Sequence, residues 1–190
     1  MENLLIIMKQ LRDPSGCPWD REQTHASLKK NLIEEAYEVI DAIDSKDPFA
    51  LKEELGDLLL QIAFHAVIAQ EEGHFNYRQI EKGICDKLIS RHSHIFGEDS
   101  AIDASEVLKL WRENKRKEKG QTTVTQAMND IPSSFPALLS SYKVQSKAAD
   151  VGFDWDTASD AFTKVDEEIN ELKRAMEEKD IDEIESEIGD

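Results

Sequence analysis

The sequence predicts an all-α protein, and three observations predict it. Apolar residues recur at helical spacing along each long segment. Nothing reads as a strand. Two acidic motifs, Glu34-Glu35-x-x-Glu38 and Glu54-x-x-Asp57, have a three-residue spacing that a helix gathers onto one face.

Residues 3–12 read as a short helix, and 13–20 as a loop, because two prolines and a glycine prevent regular structure there. A helix over 24–44 follows from the register of Leu28, Leu32, Ala36, Val39, Ile40 and Ile43. A turn near Lys46-Asp47-Pro48 leads into a helix over 48–72, with Leu51, Leu55, Leu58, Leu59, Ile62 and Val67 apolar and Gly73 as its cap. Gly56 lies inside that helix at a local cost of ~1 kcal/mol, a place where a neighbouring helix or a ligand approaches closely. Ile80, Ile84 and Leu88 predict a helix over 77–92, then a loop over 96–104. A polar helix over 105–119 carries Val107, Leu108 and Trp111. Beyond it, 120–132 reads as a linker, 133–149 as a helix, 151–156 as a loop, 157–179 as a helix, and a last helix begins near Ile181.

The acidic pattern occurs twice. Glu167-Glu168-x-x-Glu171 and Glu187-x-x-Asp190 repeat the first set at a constant offset. If the helices on either side of the Lys46 turn run antiparallel, Glu35, Glu38, Glu54 and Asp57 converge between them. A lone Glu-Glu-x-x-Glu is ordinarily solvated surface; the same paired spacing used twice points to an internal repeat that holds a divalent metal. Hard oxygen ligands suit Mg²⁺ or Mn²⁺, and such a metal points to phosphate chemistry. The expected organisation is a first repeat over 1–119 with a complete site, a linker over 120–132, and an incomplete second repeat over 133–190. The chain stops at Asp190, so the second repeat is expected to be truncated.

The 190 residues carry a formal charge of −17, which repels a polyanion at long range. A nucleic-acid polymer is therefore not an expected partner. Cys17 and Cys85 are too few for a secreted disulfide framework and lack zinc-site spacing, so a cytoplasmic location is expected. The N-terminus lacks a basic segment before its short apolar run, and no apolar run approaches about 20 residues, so no leader and no membrane span is expected.

Several further motifs stand in order along the chain: Cys17-Pro18-Trp19-Asp20, Glu53-Glu54-Leu55-Gly56-Asp57, Lys87-Leu88-x-x-Arg91-His92-x-His94-x-Phe96, Trp111-x-x-x-Lys115, Asp130-Ile131-Pro132 and Val151-Gly152-Phe153-Asp154-Trp155. With the acidic motifs they make the chain resemble the MazG nucleoside triphosphate pyrophosphohydrolases over nearly its whole length. The resemblance implies an all-α NTP pyrophosphohydrolase fold, a homodimer whose helices complete a four-helix bundle, and Mg²⁺-dependent hydrolysis of nucleoside triphosphates to monophosphate and pyrophosphate. It implies Glu35, Glu38, Glu54 and Asp57 as metal ligands, with Glu34 beside them as an outer-shell acid. Lys87, Arg91 and Lys115 match basic positions that contact the triphosphate, and Trp111 an aromatic near the nucleotide. Glu168, Glu171, Glu187 and Asp190 match the same ligands in the second repeat.

Cleaving between the α and β phosphates requires charge neutralisation, an in-line water and a stabilised leaving group. Metal serves the first need. Glu38 or Glu35 serves the second as a base; the spacing does not rank them, and Glu38 is the expected one. Lys87 and Arg91 lie one turn apart and can meet phosphate oxygens, with Lys115 as a third cation. Trp111 can pack on base or ribose, and a π-face tolerates any base. The alternative function is a non-catalytic nucleotide- or metal-binding module, regulatory or a dimer scaffold, which the incomplete second repeat motivates.

Overall fold

The computed structural model describes residues 1–189, and every regular element among them is a helix, with no strand, as the sequence predicts. The chain divides into two compact units, Met1–Trp111 and Arg112–Asp190, each described by itself.

The first unit begins with α1 (Glu2–Arg12). The expected loop after it contains a one-turn helix, α2 (Pro18–Glu22). Pro18 starts that turn rather than preventing it, because a proline at the first helical position lacks only an N–H that has no helical partner anyway. Gly16 is required before it: an added Cβ would lie 2.3 Å from the Leu11 carbonyl oxygen. α3 (Lys29–Ser45) starts later than expected, because Thr24 and Ser27 fold residues 24–28 into a hydrogen-bonded turn.

α3 and α4 (Pro48–Glu71) form a hairpin. Lys46 adopts the left-handed conformation at φ 56° and ends α3. Asp47 then starts α4, its Oδ1 accepting from the Phe49 and Ala50 amides at 2.8 and 3.2 Å. α4 ends on Gly73 at φ 76°, with His74 N bonded to Ala69 O and Gly73 N to Gln70 O. The core gathers around the C-terminal half of α4, where Ala63, Phe64, Val67 and Ile68 pack with Met8 and Leu28. The N-terminal half of the hairpin stays open: Ile33, Tyr37, Ile40, Ile43 and Leu55 are about half exposed. Gly56 belongs to this open half, and an added Cβ there meets nothing within 4 Å. Among the described residues no helix makes the close approach expected at Gly56.

α5 (Tyr77–Arg91) opens on a capping box between Asn76 and Gln79. A one-turn helix, α6 (Ser93–Phe96), follows, and α7 (Ala104–Glu118) carries the unit boundary. In the second unit, the segment read as a linker contains α8 (Val124–Asn129), started by a Thr123–Gln126 capping box. Lys119 and Gln121 both reach the Asp130 carboxylate at 2.5 Å and close that segment. α9 (Ala137–Ala149) begins after Pro136, four residues later than expected. α10 (Ala158–Glu178) and α11 (Ile181–Gly189) form a second hairpin. Its turn repeats the first: Lys179 lies at φ 59°, and Asp180 accepts from the Glu183 amide at 3.1 Å. Ala42 and Ala175 are buried one turn before their lysines. The two hairpins therefore share the turn as well as the acidic spacing.

Candidate active site

The first hairpin brings three acids together. One carboxylate oxygen from each of Glu35, Glu38 and Glu54 lies within 4.8 Å of the other two. Glu35 and Glu54 are half-buried and Glu38 is exposed. Asp57, one turn along α4, stands outside that tight group, but its charge reaches both half-buried acids. Partial burial, then the charges of Asp57 and Glu38, push the Glu35 carboxyl above the ordinary carboxylate range. Partial burial, then Glu38 and Glu53, push Glu54 the same way. Glu34 points elsewhere: it pairs with Lys30 at 3.1 Å on the exposed side of α3.

This donor set fits a hard divalent cation. It contains only carboxylate oxygens, and its members repel one another until positive charge is added. Magnesium bonds near 2.1 Å hold ligand oxygens about 3–4 Å apart, so the 4.8 Å limit asks for little closure.

Sequence reasoning missed Gln61. It lies one turn beyond Asp57 on α4 and is 4% exposed. Its Nε2 donates to Glu35 Oε1 at 3.5 Å, while its buried Oε1 has no hydrogen-bond partner. Leaving such a group unsatisfied costs about 1–3 kcal/mol. The available signal was a single amide inside Leu58-Leu59-Leu60-Gln61-Ile62, in register with Glu54 and Asp57. Also missed were His25 and His65, whose rings stack with Nδ1 atoms 2.7 Å apart. Burial and then His25 lower the His65 pKa.

The basic and aromatic residues lie on the later helices. Lys87 is exposed on α5. Arg91, one turn on, stands 5.2 Å from the centre of the Trp111 ring and joins α5 to α7 by a cation–π contact. The Trp111 face expected to meet a base or ribose thus meets a guanidinium. Lys115 is half-buried on α7.

The second hairpin places Glu168, Glu171 and Glu187 in a matching cluster, with oxygens within 4.8 Å of one another. Asp190, the expected fourth acid, lies outside the described residues. The two clusters differ in local charge. Lys164 sits 3.4 Å from Glu168, a cluster member, whereas Lys30 in the first unit pairs with Glu34 instead.

Fold and site define a class: an all-α protein in which two helix hairpins, built on the same Lys-Asp turn, each gather three carboxylates fit for a divalent cation. Comparison with known proteins narrows it. The family model for the MazG nucleotide pyrophosphohydrolase domain matches residues 23–96. The chain is 46% identical over 193 aligned residues to the nucleoside triphosphate pyrophosphohydrolase of Escherichia coli strain K12, covering 100% of this chain and 73% of that protein. It is 45% identical to the nucleoside triphosphate pyrophosphohydrolase/pyrophosphatase MazG of Thermotoga maritima, covering 100% of this chain and 71% of that one. A crystal structure of a MazG-related protein from Thermotoga maritima superposes with a TM-score of 0.52 at 29% identity, over 61% of this chain and 99% of that one. The chain belongs to the MazG nucleotide pyrophosphohydrolase family.

Proposed function

We propose that this chain is an Mg²⁺-dependent enzyme that hydrolyses nucleoside triphosphates to nucleoside monophosphate and pyrophosphate at the first carboxylate cluster. The observation that carries the proposal is the meeting of Glu35, Glu38 and Glu54 oxygens within 4.8 Å in a member of this family. Glu35, Glu38 and Glu54, with Asp57 at the edge, would hold the cation. When bound, Mg²⁺ or Mn²⁺ supplies charge neutralisation for the triphosphate and lowers the pKa of water. Glu38, the exposed member, orients a water in line with the α-phosphorus and takes its proton. One P–O bond forms from that water. The bond from the α-phosphorus to the bridging oxygen breaks, and that oxygen leaves with pyrophosphate. Lys87, Arg91 and Lys115 offset phosphate charge, and Trp111 borders the nucleotide. Glu34, paired with Lys30, stands outside the cluster.

Three further readings belong to the proposal. The exposed apolar residues of α3 and α4 support a homodimer in which a second copy covers that face. The repeated turn and the second cluster support two MazG-like repeats, 1–119 and 133–190; in the second, Glu168, Glu171 and Glu187 would bind a cation more weakly because Lys164 already answers Glu168. Two free cysteines suit a reducing cytoplasm, and no helix among the described residues is long and apolar enough to cross a membrane.

Hydrolysis in ¹⁸O-labelled water tests the bond assignment. The label is expected in the monophosphate. Label in pyrophosphate, or release of inorganic phosphate alone, contradicts attack at the α-phosphorus.

A further inference from the structure

The polar group that the proposed chemistry does not use lies directly against its ligands. Gln61 is 4% exposed, at the start of the buried half of α4. Its register with Glu54 and Asp57 puts all three on one stripe of α4. The 3.5 Å contact to Glu35 fixes the orientation of the amide: reversed, it would set an acceptor against a carboxylate. Oε1 is then left buried without a donor. The neighbouring carboxylates cannot supply one, because ionised carboxylates only accept. A donor has to come from outside the chain.

We infer that Gln61 is a positioning residue of the first cluster: its Nε2 fixes Glu35 in the ligating pose, and its Oε1 accepts a hydrogen bond from a water in the hydration shell of a divalent cation held there. The inference rests on the metal reading proposed above. Mg²⁺ and Mn²⁺ sites on a few carboxylates keep several waters, which supplies the missing donor. Outer-shell partners of this kind orient ligands and change metal affinity about 10–100-fold when removed. A methionine at position 61 would fill nearly the same space without an orphaned acceptor. Loss of a purely structural Gln61 therefore appears in stability, and loss of a positioning one in cation affinity alone.

The test is Mn²⁺ binding to the full chain without nucleotide, followed by the loss of the free-ion electron paramagnetic resonance signal. A Glu187→Gln background silences the second cluster. Gln61→Met is expected to weaken binding about 10-fold while its melting temperature without cation equals or exceeds that of the parent. Gln61→Leu serves if the first variant does not fold. Less than a threefold change overturns the inference. Weaker binding accompanied by a lower melting temperature in both variants assigns Gln61 to structure and overturns it as well. Failure of the metal reading is separate: Mn²⁺ binding that Glu54→Gln leaves intact removes the cation from this cluster altogether.

Discussion

Replacing Arg12 with methionine is expected to destabilise the first unit by about 3 kcal/mol. Arg12 is nearly buried, its side chain 7% exposed, and it ties α1 to both α2 and α4. Its Nη1 donates to the Asp20 and Gln23 carbonyl oxygens at 2.5 and 3.1 Å. Nε and Nη2 hold the Glu71 carboxylate at 3.1 and 2.7 Å. Hydrogen bonds from a charged donor contribute about 1.5 kcal/mol or more each, so the two carbonyls account for about 3 kcal/mol. Glu71 is 45% exposed, and water replaces its partner, so it adds less than about 1 kcal/mol. At about 2–4 °C per kcal/mol for a chain of this length, the melting temperature should fall by about 10 °C. The same clamp fixes the segment that leads through the buried Leu28 into α3, and so the helix bearing Glu35 and Glu38. Urea unfolding followed by far-UV circular dichroism gives the free energies. Glu71→Gln is the control and should cost under about 1 kcal/mol. Equal costs for the two variants would show that an ordinary surface ion pair is the whole interaction and would refute the reasoning.

Two pH predictions follow from the site. Glu35 and Glu54 both ionise above the ordinary carboxylate range in the folded chain, so between the ordinary and the raised values the folded state holds extra protons. Stability then falls as pH rises through that window, and the full penalty is present above the raised values. Without divalent cation, Glu54→Gln should raise the melting temperature at pH 7, with the difference closing toward pH 4; no gain at pH 7 contradicts the repulsion. Mn²⁺ at a hundred times its Kd should stabilise the parent chain by about 2.7 kcal/mol and Glu54→Gln by far less. His65 titrates below its ordinary value of 6.5, so its folded form holds fewer protons than the unfolded chain. That contribution is complete above pH 6.5 and is lost as pH falls through the lowered value. Thermal melts should show His65→Gln flattening the loss of stability between pH 7 and 5, and an unchanged slope contradicts it.

The parts legible in the sequence were those set by local periodicity. α4 was readable to within a residue, from Pro48 at its start to Gly73 beyond its end, because both residues act through their own backbone. The convergence of Glu35, Glu38 and Glu54 was readable because i,i+3 spacing on two antiparallel helices leaves few other arrangements. The misses have physical causes. α2 was hidden because Pro18 reads as a breaker except at the first position of a helix. α8 was hidden in a polar segment whose capping box, Thr123 and Gln126, is its one strong signal. Gln61 shares a face of α4 with Glu54 and Asp57, but its contact with Glu35, like the His25–His65 pair, joins distant residues that no single helix displays together. The Arg91–Trp111 contact likewise joins two helices that the sequence presents separately.

The most direct measurement is pyrophosphate release from the four ribo- and four deoxyribonucleoside triphosphates with Mg²⁺, comparing the parent chain with Glu38→Gln. The account predicts turnover by the parent at ~1 s⁻¹ or faster, and a fall of at least about 100-fold in Glu38→Gln with its helical circular dichroism unchanged. Full activity in Glu38→Gln, or none in the parent, would contradict the assignment of the chemistry to the first carboxylate cluster.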